Sequence, residues 1–330
     1  LDGDASGTYA GEGPSDALGV VVRRSEFDES LWRAAEADGV VAHDGEGVLG
    51  LDRVSVGERG WRVVTSKRTI TARHVIACDG AGSTVRKLLD LREPARKGHL
   101  YVLETELLAS DTGPHEGLCD FDLGPANGPI EGYYWDFPTP IDGETCVSRG
   151  IYHANFTPPP GGGRDVKRAL AFALSRRGLD IDKVRLKPFS TRPFVERTIL
   201  ERDGILFVGE AAGIDATTGE GIAQAILFGE IAARHIARAV RLGAHALDAY
   251  PAAVRRSRMG RHLLQSAWLA RAVYGHRGRA YRSLLLRSGA AREAGARWYK
   301  GDKLGLATKL RLAMLLAREV TKDLTISPEF

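Results

Sequence analysis

Two short, almost wholly apolar runs stand out from their surroundings: His74-Val-Ile-Ala-Cys78 and Gly204-Ile-Leu-Phe-Val208. Such runs predict parallel strands buried on both faces. Each ends in a glycine turn, Asp79-Gly80-Ala-Gly82-Ser83 in the first case and Gly209-Glu210-Ala211-Ala212-Gly213 in the second. After the second turn a 3.6-residue periodicity predicts a long helix over residues 222–242. Upstream, residues 20–22 read as a short β-like run. Phe27, Leu31, Ala34 and Ala35 then mark a helical face that Gly39 stops. Residues 48–56, 61–65 and 68–72 read as a strand meander, with Gly57 and Gly60 around its first turn. Residues 100–107, 131–137 and 145–151 are longer alternating runs between Gly/Pro-rich turns, and predict a separate antiparallel sheet. The breaker cluster Pro158-Pro-Pro-Gly-Gly-Gly163 follows. Asp165 then fits the N-cap of a helix carrying Val166, Leu170, Ala173 and Leu174, closed by Gly178. From Tyr250 onward the pattern is helical, Arg-rich and interrupted by glycines.

Composition narrows the class. At 330 residues and 43% hydrophobic the chain is long enough for about two domains with ample core, so collagen-like, disordered and small disulfide scaffolds are excluded. No run of 18 or more apolar residues is present, so no membrane-spanning helix is expected. The first residues are polar and acidic, unlike a signal or transit peptide. Three widely spaced cysteines without a C-x-x-C fit a cytoplasmic protein, with Cys78 and Cys146 expected as inert core. The nine histidines form no ligand-spaced cluster, so no metal site is expected. The net charge of +4 hides an asymmetry: residues 251–330 hold 17 Lys/Arg against 5 Asp/Glu. This basic end suggests a phosphate ligand, an anionic lipid surface or a solvated helical face. Aromatics interleave with its arginines, but no nucleic-acid module accompanies them, and none is expected to bind.

The two strand-then-glycine turns carry the chemistry. The crevice at the carboxyl ends of strands in an open α/β sheet is where nucleotides bind. Gly219-Glu-Gly221-Ile222 opens the long helix, whose free N–H groups and positive dipole end favour an electron-rich ligand edge. Glycines at 209, 213, 219 and 221 permit close backbone approach. Tyr133, Trp135 and Phe137 alternate along one strand, so they share a face and form an aromatic wall suited to an apolar substrate.

Taken together, the chain resembles FAD-dependent oxidoreductases of the para-hydroxybenzoate hydroxylase fold, in their geranylgeranyl reductase-like branch. Arg24-Ser-Glu-Phe27-Asp28-Glu-Ser-Leu31 is similar to the family's R-x-x-F-D-x-x-L helix start, whose Arg reaches the flavin nucleotide. Cys78-Asp79-Gly80-Ala-Gly82-Ser83-Thr-Val85-Arg86 resembles its DG motif, near the pyrophosphate. Gly209-Glu210-Ala211-Ala212-Gly213…Thr218-Gly219-Glu220-Gly221-Ile222 resembles its GD motif, where the acid meets the ribitol and the backbone around Gly221 and Ile222 faces the flavin pyrimidine edge. Tyr133-Tyr-Trp135-Asp-Phe137-Pro138 is similar to the Y-x-W-x-F-P element of the substrate sheet.

The resemblance implies an α/β (α+β) chain. A partial Rossmann-like FAD-binding domain spans residues 1–98 and 190–249. An antiparallel-sheet substrate domain is inserted at 99–189, and a basic helical region follows at 250–330. It implies FAD held by Arg24, Asp79, Gly80, Gly209, Glu210, Ala211, Gly219, Gly221 and Ile222. It implies a substrate against Tyr133, Trp135, Phe137 and Pro138, and NAD(P)H or another reductant as electron donor. The implied reaction is hydride transfer to a double bond of an isoprenoid or other apolar substrate; no single catalytic residue is assigned. An aromatic monooxygenase or halogenase on the same fold remains an alternative. So does a fragment unable to hold FAD alone.

Departures from the family pattern bear on these alternatives. Glu210 stands where Asp is usual, Ala216 where Pro is common, and Thr139 where Lys is frequent. The family opens with a strand and G-x-G-x-x-G. No such motif precedes Arg24, and Gly11-Glu-Gly13-Pro follows no strand. On this reading the chain is short by a βαβ unit of ~30 residues. A peripheral membrane contact through the basic end and the oligomeric state both stay open.

Overall fold

The computed structural model describes residues 19–54, 60–93, 95–104, 107–108, 118–215, 219–243, 247–275 and 278–325, with the backbone alone at 107–108 and 322–325. Gly11, Gly13, Gly57, Ala216, Thr218 and the end of the strand expected at 48–56 lie outside the described residues. The chain divides into two compact units. One joins Val22–Leu100 to Pro188–Ala267, and the other joins Tyr101–Lys187 to the residues from Trp268 on.

The first unit opens with α1 (Arg24–Ala37). The periodic pattern forms the expected helix, yet none of its residues is buried. The β-like run at 20–22 forms no strand; it has no ladder partner among the described residues, and Val20 is exposed. The meander follows as β1 (Val48–Arg53), β2 (Trp61–Thr65) and β3 (Thr69–Ala72), paired antiparallel in that order. Then come β4 (Val75–Ala77) and α2 (Thr84–Leu88).

The other unit is built on a six-stranded sheet of β5 (Gly98–Leu103), β6 (Leu107–Leu108), β7 (Asp120–Asp122), β8 (Gly132–Ile141), β9 (Glu144–His153) and β10 (Leu186–Thr191), whose end strands run into the unit boundary. Their order is β10-β5-β9-β8-β7, with β6 also on β9. The β8–β9 hairpin is antiparallel over its whole length, from Gly132↔His153 to Ile141↔Glu144. The run expected at 100–107 is thus split between β5 and β6. Helix α3 (Gly163–Ser175) packs Val166, Leu170, Ala173 and Leu174 against Tyr134 and Ile151. Asp165 caps it from inside the first turn rather than at the N-cap, accepting the Gly161 N–H at 2.7 Å.

Back in the first unit, β11 (Glu201–Arg202) and β12 (Ile205–Phe207) form a three-stranded sheet of order β11-β12-β4. β12 and β4 are parallel, as expected, with Phe207 opposite Ala77. β12 is buried on both faces and β4 is not. Ile76 is 45% exposed and Cys78 is also exposed, which corrects the expectation of a doubly covered strand and of a core Cys78. An apolar run marks a strand but not its place in a sheet, and β4 is an edge strand among the described residues. Helices α4 (Ile222–Arg241), α5 (Ala249–Arg256) and α6 (Arg258–Tyr274) follow. Phe228, Tyr250 and Leu263 join Phe207 and Val208 in one core, and the Tyr250 hydroxyl donates to the Phe207 carbonyl at 2.9 Å. The chain closes with α7 (Gly278–Arg287), α8 (Gly289–Tyr299) and α9 (Leu306–Thr325). No helix of the described residues is long and apolar enough to cross a membrane.

Candidate active site

The parallel pairing of β4 with β12 brings the two glycine turns side by side, although some 130 residues separate them in the chain. Both leave the carboxyl ends of their strands, the position where open α/β sheets bind ligands. In the first turn Asp79 works on its own loop. Its Oδ1 accepts the Ser83 hydroxyl at 2.6 Å and its Oδ2 accepts the Val85 N–H at 2.9 Å. Ser83 in turn caps α2 through the Arg86 N–H. The crest stays open: a Cβ on Gly80 or Gly82 would meet nothing within 4 Å.

The second turn is closed on itself. Asp215 is buried; its Oδ2 accepts Thr191 Oγ1 at 2.5 Å and its Oδ1 accepts the Gly219 N–H at 3.2 Å. Gly213 adopts φ +91°, and a Cβ there would lie 2.7 Å from the Pro193 carbonyl oxygen, so glycine is required. Gly221 ends the turn against Ile214, whose Cδ1 leaves 2.6 Å for a Cβ, with Glu210 Oε1 3.7 Å from the same point. α4 begins at Ile222 with no side-chain cap, so its first N–H groups are available at this edge.

Two buried arginines tie the turns together. Arg192 donates from Nη2 to the Ala81 carbonyl of the first turn at 2.7 Å and from Nε to the Glu210 carbonyl of the second at 3.2 Å. Its Nη1 pairs with Glu93, and its backbone N–H donates to Glu210 Oε2 at 2.8 Å. Arg86 donates from Nη1 to the Ile199 carbonyl at 3.1 Å and to the Ala211 carbonyl at 3.4 Å, with its guanidinium over the Phe207 ring. Burial and the neighbouring Arg86 charge pull Arg192 down to about 10, which leaves it protonated at neutral pH. Glu210 is pushed up to about 7, chiefly by burial, with Asp215 adding and the Arg192 N–H opposing. Burial also raises Glu220 to about 7. Glu210 Oε1 has no hydrogen-bond donor among the described residues.

Of the expected cofactor residues, Asp79, Gly80, Gly209, Glu210, Ala211, Gly219, Gly221 and Ile222 therefore belong to one pair of adjoining turns. Arg24 lies on α1, exposed, with its guanidinium hydrogen bonds going to Asp28. Arg192 carried no sequence signal, because its acceptors are contributed by segments about 18 and 111 residues away.

In the sheet unit, Tyr133, Trp135 and Phe137 share one face of β8 as expected. Phe121 joins them at 5.3 Å from Tyr133 and 5.0 Å from Phe137, and Tyr152 lies 5.8 Å from Tyr133. Pro138 alternates to the opposite face. There Tyr134 donates to Asp136 at 2.7 Å, and Asp136 pairs with Arg149 at 2.8 Å and with Arg177. His153 is fully buried and its Nδ1 accepts the Glu131 N–H, a structural role. Cys146 is core, as expected.

Comparison with known proteins bears on the family and the fold. The model of the FAD dependent oxidoreductase family matches residues 16–235. A digeranylgeranylglycerophospholipid reductase of Methanothrix thermoacetophila is 30% identical over 244 residues, 73% of this chain and 60% of the relative. The chain thus spans about three fifths of that relative's length. Among solved structures, a geranylgeranyl bacteriochlorophyll reductase-like protein from Thermoplasma acidophilum superposes with TM-score 0.66 at 22% identity, over 92% of this chain and 74% of that one. The anhydrotetracycline hydroxylase of Streptomyces rimosus does so with TM-score 0.56 at 19% identity, over 85% and 57%. Both likenesses concern the fold.

Proposed function

Because the chain belongs to the FAD-dependent oxidoreductase family, we propose that it acts as a flavin-dependent reductase of double bonds in an isoprenoid or similarly apolar substrate. The observation that carries this is the clamped pair of turns at the ends of β4 and β12. Its residues fit a flavin. The crest at Gly80 and Gly82 is open, Glu210 Oε1 is without a donor among the described residues, and the amino end of α4 presents N–H groups. A bound FAD would contribute hydride chemistry, with NAD(P)H or another reductant as the electron source.

The chain's own residues do the rest. Asp79 keeps the first turn in shape, and Arg192 fixes the spacing of the two turns. Glu210 Oε1 would be available to a ribitol hydroxyl of bound FAD, a reach its extra methylene relative to Asp allows. The first N–H groups of α4 would favour negative charge on a flavin edge bound there and so raise its reduction potential. Glu220, raised by burial to about 7, can take up or release a proton near neutral pH. Tyr133 and Trp135, both buried, and the half-buried Phe137 would back an apolar substrate and keep water from it. The name of the Methanothrix relative supports the isoprenoid-lipid class.

The test is an anaerobic incubation of the protein with FAD, dithionite and a geranylgeranyl-bearing lipid, read by mass spectrometry. Gain of two hydrogens per double bond is expected. Oxygen-dependent hydroxylation of an aromatic compound, with the lipid unchanged, would overturn the reading in favour of a monooxygenase.

A further inference from the structure

Helix α9 has two apolar sides. Leu312, Leu315, Leu316 and Glu319 are half-buried on the side that meets α7 and α8, where the Ser283 hydroxyl donates to Glu319 Oε2 at 3.0 Å. On the opposite side Leu306, Leu310 and Met314 are 73%, 57% and 62% exposed. They recur every four residues, and at 100° per residue Ala313, Ala317 and Val320 fall on the same stripe. Lys309 flanks one edge of the stripe; Arg311 and Arg318 flank the other, all exposed. None of the three is in an ion pair among the described residues. A solvent-facing helix side is normally polar, so this stripe calls for a covering partner.

Charge decides what kind. A second copy packed through a twofold axis would set the flanking cations against their own like charges. A surface that is apolar beneath and anionic at its rim matches the stripe and both flanks together. The surrounding end of the chain is also basic, with 17 Lys/Arg against 5 Asp/Glu over residues 251–330.

We propose that the Leu306–Leu310–Met314 face of α9 docks on an anionic phospholipid bilayer. The stripe enters the acyl boundary, while Lys309, Arg311 and Arg318 meet lipid phosphates. The inference stands independently of the reaction proposed above.

The experiment is co-sedimentation of the full chain with vesicles of phosphatidylcholine, with and without phosphatidylglycerol. Binding to the phosphatidylglycerol vesicles is expected, and it should weaken as salt screens the charges. Leu310→Glu with Met314→Glu should reduce binding to background while circular dichroism and melting stay unchanged, since both side chains are exposed. Lys309→Gln, Arg311→Gln and Arg318→Gln together should weaken partitioning roughly a hundredfold. The proposal is overturned if the folded protein ignores anionic vesicles or if binding survives Leu310→Glu/Met314→Glu. It is also overturned if the protein ignores vesicles and that variant instead converts a dimer to a monomer in sedimentation velocity, which would assign the face to a second copy.

Discussion

Arg192 and Glu210 hold each other at two points. The Arg192 backbone N–H donates to Glu210 Oε2 at 2.8 Å, and Arg192 Nε donates to the Glu210 carbonyl at 3.2 Å. The same guanidinium reaches Ala81 in the neighbouring turn and Glu93. One side chain therefore sets the spacing of two loops that the chain supplies from distant positions. Arg192→Ala leaves two turn carbonyls without their donor. It should cost about 2–3 kcal/mol of stability in urea denaturation. Arg192→Lys should recover little, because an ammonium cannot reproduce the fork.

Glu210 makes stability depend on pH with a definite sign. Its native carboxyl titrates at about 7, and an unfolded Glu at about 4.3. Between those values the native state holds the extra proton, so stability is full at the acid end and falls as pH rises through about 7. Glu220 acts in the same direction. Glu210→Gln should flatten part of the decline, and the pair Glu210→Gln/Glu220→Gln more of it. Urea midpoints at about pH 5 and about pH 8 measure this.

Asp136 and Arg149 face each other across the β8–β9 hairpin, 1–2% exposed. Asp136→Ala strands a buried guanidinium and should cost about 3–5 kcal/mol. Adding Arg149→Met should return part of that loss, because the fully buried charge is then gone while Arg177 keeps Asp120 and Asp122. Thermal denaturation of the single and double variants reads both effects.

Gly150 lies opposite Trp135, and a Cβ there would press into the indole and stand 2.6 Å from the Tyr101 carbonyl oxygen. Gly150→Ala should shift the Trp135 ring out of the aromatic face and cost about 1–3 kcal/mol. Altered tryptophan emission, together with a raised KM for the proposed geranylgeranyl-lipid substrate and little change in flavin binding, is the expected signature.

Much of this was legible in the sequence. The apolar runs located β4 and β12, and the glycine spacing located both turns and the start of α4. Period-two alternation put Tyr133, Trp135 and Phe137 on one face. What stayed hidden depends on which segments meet. Arg192 sits between Thr191 and Pro193 with no motif around it, and its role exists only once β4 and β12 pair. Asp136 and Arg149 become a pair only when the hairpin register is known. Ile76 and Cys78 read as core because apolar content does not distinguish an edge strand from a central one. The helical period of α1 foretold a helix correctly, but a period cannot say whether anything covers it.

Titrating FAD with the purified chain while following flavin fluorescence tests most directly whether the two clamped turns hold a flavin. Saturable quenching by the wild-type chain is predicted, markedly weakened in a folded Arg192→Ala variant. Emission left unchanged by a wild-type chain that is folded by circular dichroism would contradict the claim, and would favour a fragment that cannot hold FAD by itself.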